Sequence, residues 1–336
     1  MIKITKPGLF SSVQDIGRYG YQKYGVSVSG AMDSISHRLA NLLVGNDEYQ
    51  STIECTMAGP EMEFHQDCLL SICGGDFNPT INKQSVGMWR PVWVKKGSVL
   101  RFGQSIEGCR AYLAVSGGFD VPKVLGSRST FMRAKMGGFQ GRALKKGDQL
   151  KTGRASAVAE QIQRLAGKKD GPIVSFHETN WFVRPPYSSR FKRKLPIRVV
   201  KSKQTEWFAK DTQNQLVERL FTITAQSDRM GYRLDGPEIK WKEKKEMISE
   251  AVSIGTIQVP AEGNPIVLLA DRQTTGGYPK IAQVTTVDIP YLAQMKPGET
   301  LQFEWISLKE AQQLYLEREK EIQQLKTGLL LKIKGG

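Results

Sequence analysis

"SEAVSIGTIQVPAEGNPIVLLADRQTTGGY", residues 249–278, decides how this chain is read. It holds two short apolar runs, TIQVP (256–260) and PIVLLA (265–270), bounded by Gly, Pro and Asp. Such runs are strands separated by turn chemistry. The same pattern recurs in CLLSIC (68–73), PVWV (91–94), AYLAVS (111–116), IRVV (197–200) and LFTIT (220–224). Helical signals are few. DSISHRLANLLVGN (33–46) puts Ile35, Leu39, Leu42 and Leu43 on one face, with Asp33 as N-cap and Gly45 at its stop. QTEWFAKD (204–211) predicts a short helix, and SLKEAQQLYLEREKEIQQLK (307–326) an amphipathic one opened by the capping box Ser307 and Glu310. Many strands with few short helices predict a mainly β chain of barrels or sandwiches.

The stretch and its neighbours have echoes elsewhere. RYGY (18–21) returns as RMGY (229–232), VSVSGAMD (26–33) as AVSIGTIQ (251–258), and KKGSVLRF (95–102) as KPGETLQF (296–303). All three pairs keep the same order, and KKGDQL (145–150) is a further copy of the last. Hairpins reuse turn chemistry, but three echoes in register favour duplication. The expected organisation is a first β-barrel module at 1–155, a polar linker at 156–172, a second at 173–306, and a helix and tail at 307–336.

The length of 336 residues suits two domains, and 40% hydrophobic with 24% charged residues is ordinary for a globular protein. No apolar run is long enough for a membrane span, and MIKITKPGLF lacks a signal-peptide core, so a cytoplasmic protein is expected. Cys55, Cys68, Cys73 and Cys109 then read as reduced, buried thiols; with His37, His65 and His177 scattered, no metal site is expected. The net charge of +15 raises nucleic acid. Its main concentration is RPPYSSRFKRKLPIRVVKSK (184–203), with eight basic residues and no acid. No nucleic-acid-binding motif accompanies it, so a solvated or partner-docking face is the preferred reading.

The candidate chemistry clusters in the stretch 249–278. Glu250, Gln258, Asp271, Gln273, Thr274 and Thr275 lie near strand ends or turns, and Gly276, Gly277 and Tyr278 follow. Glycines there permit positive φ and close approach of a ligand. The plainer alternative is a polar turn in which Asp271 satisfies local N–H groups. TAQSDRMGYRLDGP (224–237) adds Arg229 and Arg233, which suit bidentate carboxylate binding or a charged rim. Gln14, Asp15, Arg18, Asp33 and Glu54 lie among glycines upstream. There is no GxxxxGK[ST], no GxGxxG after a strand and no arguable Ser-His-Asp order. FMRAKMGGF (131–139) shares only three letters with a biotin-acceptor turn and lacks the surrounding domain.

Taken together, Ser12–Asp33, Leu125–Thr130, Ser227–Gly236, Ser249–Pro279 and Gln294–Phe303 resemble the motif series of the biotin-dependent carboxyltransferase A/B-subdomain family. That family includes the KipA-type antagonists of a sporulation-kinase inhibitor, also identified as the C-subunit of bacterial 5-oxoprolinase, and the corresponding region of urea amidolyase. The resemblance covers residues 1–305 and implies two tandem cyclophilin-like β barrels.

It also implies a KipI-type partner (the 5-oxoprolinase B-subunit), a further 5-oxoprolinase A-subunit, and ATP-dependent opening of 5-oxoproline to glutamate. ATP would be used by the complex, with the chain that binds it left open and no covalently bound cofactor. On that basis Asp271, Glu250 and Gln258 become the expected catalytic residues. Arg229, Arg233, Gln273, Thr274, Thr275, Gly276, Gly277, Tyr278, Asp33 and Arg18 become the expected substrate-binding residues. The alternatives are a regulatory binding protein without catalysis, or half of a biotin-dependent carboxyltransferase acting on a urea-like substrate, which would need a biotin carrier from another chain.

Overall fold

The computed structural model describes residues 1–167, 175–186, 194–243 and 247–334. The chain packs into two compact units. One comprises Met1–Arg18, Asp33–Pro186 and Ile322–Gly336, the other Tyr19–Met32 and Tyr187–Glu321. Neither is continuous in sequence, unlike the modules 1–155 and 173–306. Part of the basic stretch (187–193) and part of the expected linker (168–172) lie outside the described residues.

The first unit holds two six-stranded sheets. Its central strands, Cys68–Asp76 and Glu107–Val115, are antiparallel neighbours and almost continuously buried. Alternation explains this. Leu70, Ile72, Ala111, Leu113 and Val115 enter the main core with Ile2, Phe64, Val92 and Leu100. The opposite face meets the helix Ser34–Leu43, where Ser71 Oγ donates to the Ala40 carbonyl at 2.6 Å. Asp33 caps that helix as expected, accepting from Ser36 N at 2.9 Å and Ser36 Oγ at 2.6 Å. Gly45 ends it at φ +71°, and a Cβ there would lie 2.6 Å from Ala159 N of the helix Ala157–Gly167, so two constraints select glycine. All four cysteines are buried and none is in a disulfide among the described residues, and burial pushes the Cys55 and Cys68 thiols up to about 12.

The second unit is built on an eight-stranded sheet. The two strands at its ends, Thr300–Leu301 and Phe303–Trp305, are separated in sequence by Gln302 alone. One continuous run of chain therefore pairs with Phe221–Ile223 on one side and, in parallel, with Ile197–Lys201 on the other. Ile197 N also donates to the Gln302 carbonyl at 2.8 Å. The sheet closes on itself, which leaves no free edge there. Buried Ile197, Val199, Phe221, Tyr232, Ile257, Val267 and Phe303 fill this unit. QTEWFAKD forms a 3-10 turn at Thr205–Trp207, and the helix that follows, Lys210–Glu218, starts later than expected. The last helix runs Leu308–Lys334, with Ser307 Oγ accepting from Glu310 N at 3.1 Å.

The sequence echoes reappear as equal local geometry. Gly97, Gly147 and Gly298 have φ of 85°, 93° and 88°. In each turn the N–H after the glycine donates to the carbonyl of the lysine two residues before it: Ser98 to Lys95, Asp148 to Lys145, Glu299 to Lys296. Arg18 and Arg229, matched in RYGY and RMGY, are both buried and grip backbone carbonyls.

Candidate ligand-binding site

The second unit carries two polar centres near the stretch 249–280. The first forms where the strand Ile266–Leu268 ends. Arg229 Nε and Nη2 donate to Asp271 Oδ2 and Oδ1 at 2.8 and 3.1 Å, a two-pronged pair. Ser29 Oγ donates to Asp271 Oδ1 at 2.6 Å, and Arg229 Nη2 donates to the Gly30 carbonyl at 2.6 Å. Backbone completes the join, with Ser29 N on the Ala270 carbonyl at 3.1 Å. Asp271 and Arg229, expected to meet substrate, therefore hold the chain's own segment 26–30, and both are buried.

The second centre depends on a bulge. Ile257 pairs with Ala282, but the next residue, Gln258, pairs with Lys280, so one step along one strand matches two along the other. Cross-strand partners share a face, and the bulge thereby sets a lysine beside a glutamine. Lys280 Nζ and Gln204 Nε2 both donate to Glu250 Oε2 at 2.9 Å. Lys203 Nζ lies 3.7 Å from Glu250 Oε1. The hydrogen bond from Lys280, then that from Gln204, hold the Glu250 carboxyl below its usual range. Glu250 is thus a weak proton acceptor, and its geometry suits positioning rather than general-base work.

Glu250–Ala251 pairs with Thr275–Gly276 in a two-stranded ribbon. Here the structure corrects one expectation. Neither Gly276 nor Gly277 has positive φ. Glycine at 276 is instead demanded by proximity, since a Cβ there would lie 2.3 Å from Gln258 Nε2. Gln258 is buried beneath the ribbon, and among the described residues its Nε2 reaches only the Tyr278 carbonyl, at 3.3 Å. Gln273, Thr275, Gly277 and Tyr278 are exposed, and Thr274 accepts from Val252 N through its carbonyl.

The remaining expected residues lie elsewhere. Arg233 is exposed on the strand Gly231–Asp235. Asp33 and Arg18 belong to the other unit, where Asp33 caps a helix and Arg18 donates to the Val124 and Ser129 carbonyls at 3.0 and 2.8 Å. Sequence reasoning missed Lys280, Gln204 and Arg272. Lys280 had a signal, being a lysine that opens the mostly apolar strand KIAQV after Gly-Gly-Tyr-Pro. Arg272 is half-buried, and burial pulls its pKa down. Its Nε and Nη1 reach only the Val252 and Leu269 carbonyls, at 3.4 and 3.3 Å, so among the described residues no carboxylate pairs with it. The basic stretch is partly neutralised: Arg198 pairs with Asp288, Lys201 with Glu206 and Lys203 with Glu250. Among the described residues no cluster of His, Cys, Asp and Glu could hold a metal ion, and no helix is long and apolar enough to cross a membrane.

Set beside known proteins, this chain has clear relatives. The model of the carboxyltransferase domain, subdomain A and B, matches residues 24–305. The 5-oxoprolinase C-subunit of Haemophilus influenzae is 35% identical over 97% of this chain and 98% of its own length. That of Escherichia coli is 34% identical over 97% of both. In three dimensions the crystal structure of the K. lactis urea amidolyase aligns with a TM-score of 0.81 at 32% identity, over 96% of this chain and 20% of that one.

Proposed function

The chain belongs to the carboxyltransferase subdomain A and B family, and from that premise we propose that it works as the C-subunit of an ATP-dependent 5-oxoprolinase. The reaction is 5-oxoproline, ATP and water to glutamate, ADP and phosphate. The observation that carries this reading is end-to-end correspondence: the chain spans 98% and 97% of two proteins named as 5-oxoprolinase C-subunits, but only 20% of the urea amidolyase.

The division of labour follows from the side chains. A lactam substrate needs its amide held and its carboxylate neutralised. Gln258, Lys280 and Glu250 supply the first, and Arg272, with no internal carboxylate partner among the described residues, suits the second. Gln273, Thr274, Thr275 and Tyr278 form the rim. The sequence has no phosphate loop and the site no free general base, so phosphoryl transfer is assigned to partner chains of the A and B types. Asp271 and Arg229 support the site by fixing the strand end that carries Arg272.

The test is reconstitution. Co-purified with its A-type and B-type partners, the chain should support 5-oxoproline-dependent release of ADP and phosphate, and alone it should support none. Robust turnover by the chain alone would sink the division of labour. A stable complex that hydrolyses no ATP in response to 5-oxoproline would replace the enzyme reading with the regulatory, KipA-type one.

A further inference from the structure

We propose that Lys280 and Gln258 form a binding site for a neutral cis-amide group, one that presents a carbonyl and an N–H on the same side, with Glu250 and Gln204 as positioning residues. The inference deepens the 5-oxoprolinase reading, on which it rests only for the choice of lactam as probe.

Hydrogen-bond accounting points there. An ammonium has three donors, and among the described residues that of Lys280 meets one acceptor, Glu250 Oε2, although Lys280 is buried. A carboxamide offers two donors and an acceptor. Among the described residues Gln258 makes a single long bond, to the Tyr278 carbonyl at 3.3 Å, and its Oε1, which is not among the fully buried polar atoms, accepts none. Buried polar groups are otherwise nearly always satisfied. Gln204 repeats the pattern: its Nε2 is fixed toward Glu250, because a carboxylate only accepts, and its Oε1 is buried without a partner. Polar capacity withheld from the fold is capacity reserved for something else.

Charge selects the class of ligand. Lys280 and Glu250 neutralise each other at 2.9 Å, and Lys203, 3.7 Å from the same carboxylate, is 82% exposed and screened by water, so the buried part of the centre offers no net charge to a phosphate or a lone carboxylate. A carboxamide such as that of Gln258 presents an N–H and a C=O side by side, the complement of a cis amide. Lys280 can add a donor to the same ligand carbonyl, from the same face of the sheet. Five-membered lactams and ureas have that arrangement, whereas an open-chain peptide bond is trans.

Gly276 supplies the decisive variant. Gly276→Ala would place a Cβ 2.3 Å from Gln258 Nε2. The glutamine end is flexible and can swing aside, so the fold should survive while the amide loses its place. We would titrate the full chain and the reconstituted complex with 2-pyrrolidone, 5-oxoproline and urea by calorimetry, and measure KM and kcat for 5-oxoproline. Gln258→Leu, Lys280→Met and Gly276→Ala should each weaken lactam binding at least about tenfold, the effect of losing a paired polar contact. The double variant Gly276→Ala/Gln258→Leu should be no worse than Gln258→Leu alone, because both remove one contact. Glu250→Gln should raise KM while leaving kcat nearly intact.

Lactam binding within twofold of wild type in folded Gln258→Leu and Gly276→Ala proteins would overturn the assignment, as would no saturable binding of any probe by chain or complex. The two readings separate cleanly. If 2-pyrrolidone binds and the variants weaken it while the complex never hydrolyses ATP for 5-oxoproline, the site stands and the proposed function falls. If the complex turns over 5-oxoproline and the variants leave KM and kcat unchanged, the site alone falls.

Discussion

Asp271 with Arg229, and Glu250 with Lys280, are two acid–base pairs in one unit, close in sequence and alike in composition, yet built for different ends. In the first, both carboxylate oxygens are taken, by a forked guanidinium and a serine hydroxyl, and the guanidinium also donates to the Gly30 carbonyl. In the second, donors and acceptors outnumber the bonds they make. The lesson is that a cluster of charged residues announces nothing by itself. Saturation marks a structural joint, whereas the donors and acceptors left over on several neighbouring side chains are what we propose a ligand takes up.

The sharpest way to break this comparison is to cut the saturated pair. Arg229→Ala leaves Asp271 buried without its counterion, and we expect a loss of about 3–5 kcal/mol of stability, the range for breaking a buried pair. Chemical denaturation would measure it. A variant with wild-type stability and impaired ligand binding would mean that the clamp is part of the site after all.

The same accounting extends to His37 in the first unit. Its Nδ1 lies 2.9 Å from Thr52 Oγ1, while its Nε2 is buried without a partner. Burial pulls its pKa down from 6.5 to about 4. The folded protein keeps the ring neutral and the unfolded chain protonates it first. Stability is therefore full above pH 6.5 and falls as pH drops toward 4, by roughly 3 kcal/mol in all at about 1.4 kcal/mol per pH unit. Denaturation curves at stepped pH should show this slope. His37→Gln should flatten it, and an unchanged slope would assign it to other groups.

Smaller effects sharpen the contrast from the open side. Lys280→Met and Glu250→Gln should shift the melting temperature far less than Arg229→Ala does, since side-chain exposure of 38% at Glu250 leaves that pair screened by water. A collapse of stability in either would make the second centre another joint. Smallest of all, Lys201→Ala should leave the denaturation midpoint where it is, because its partner Glu206 is exposed and surface pairs contribute little.

Much of the fold was legible in the sequence because it rests on local periodicity. The central strands, the Asp33-capped helix and the glycine turns at 97, 147 and 298 follow from apolar spacing and positive φ. The helix Lys210–Glu218 escaped notice because its sequence, KDTQNQLVE, is nearly all polar, with Leu216 its one buried large apolar residue. At the candidate site, the sequence showed the polar stretch but not how its side chains pair. Asp271 is held by Arg229 and Ser29, and Lys280 is set beside Gln258 by a bulge that no residue pattern announces. The glycines of TTGGY suggested backbone freedom, whereas Gly276 is needed for room.

The bond from Ser29 to Asp271 joins residues 242 positions apart. A ribosome adding roughly 5–20 residues per second needs about 10–50 s to travel that distance. Throughout that interval the segment 26–30 has been made and its anchor has not. The second unit therefore cannot be finished by the stretch that begins it, and its completion waits until residue 271 has been made.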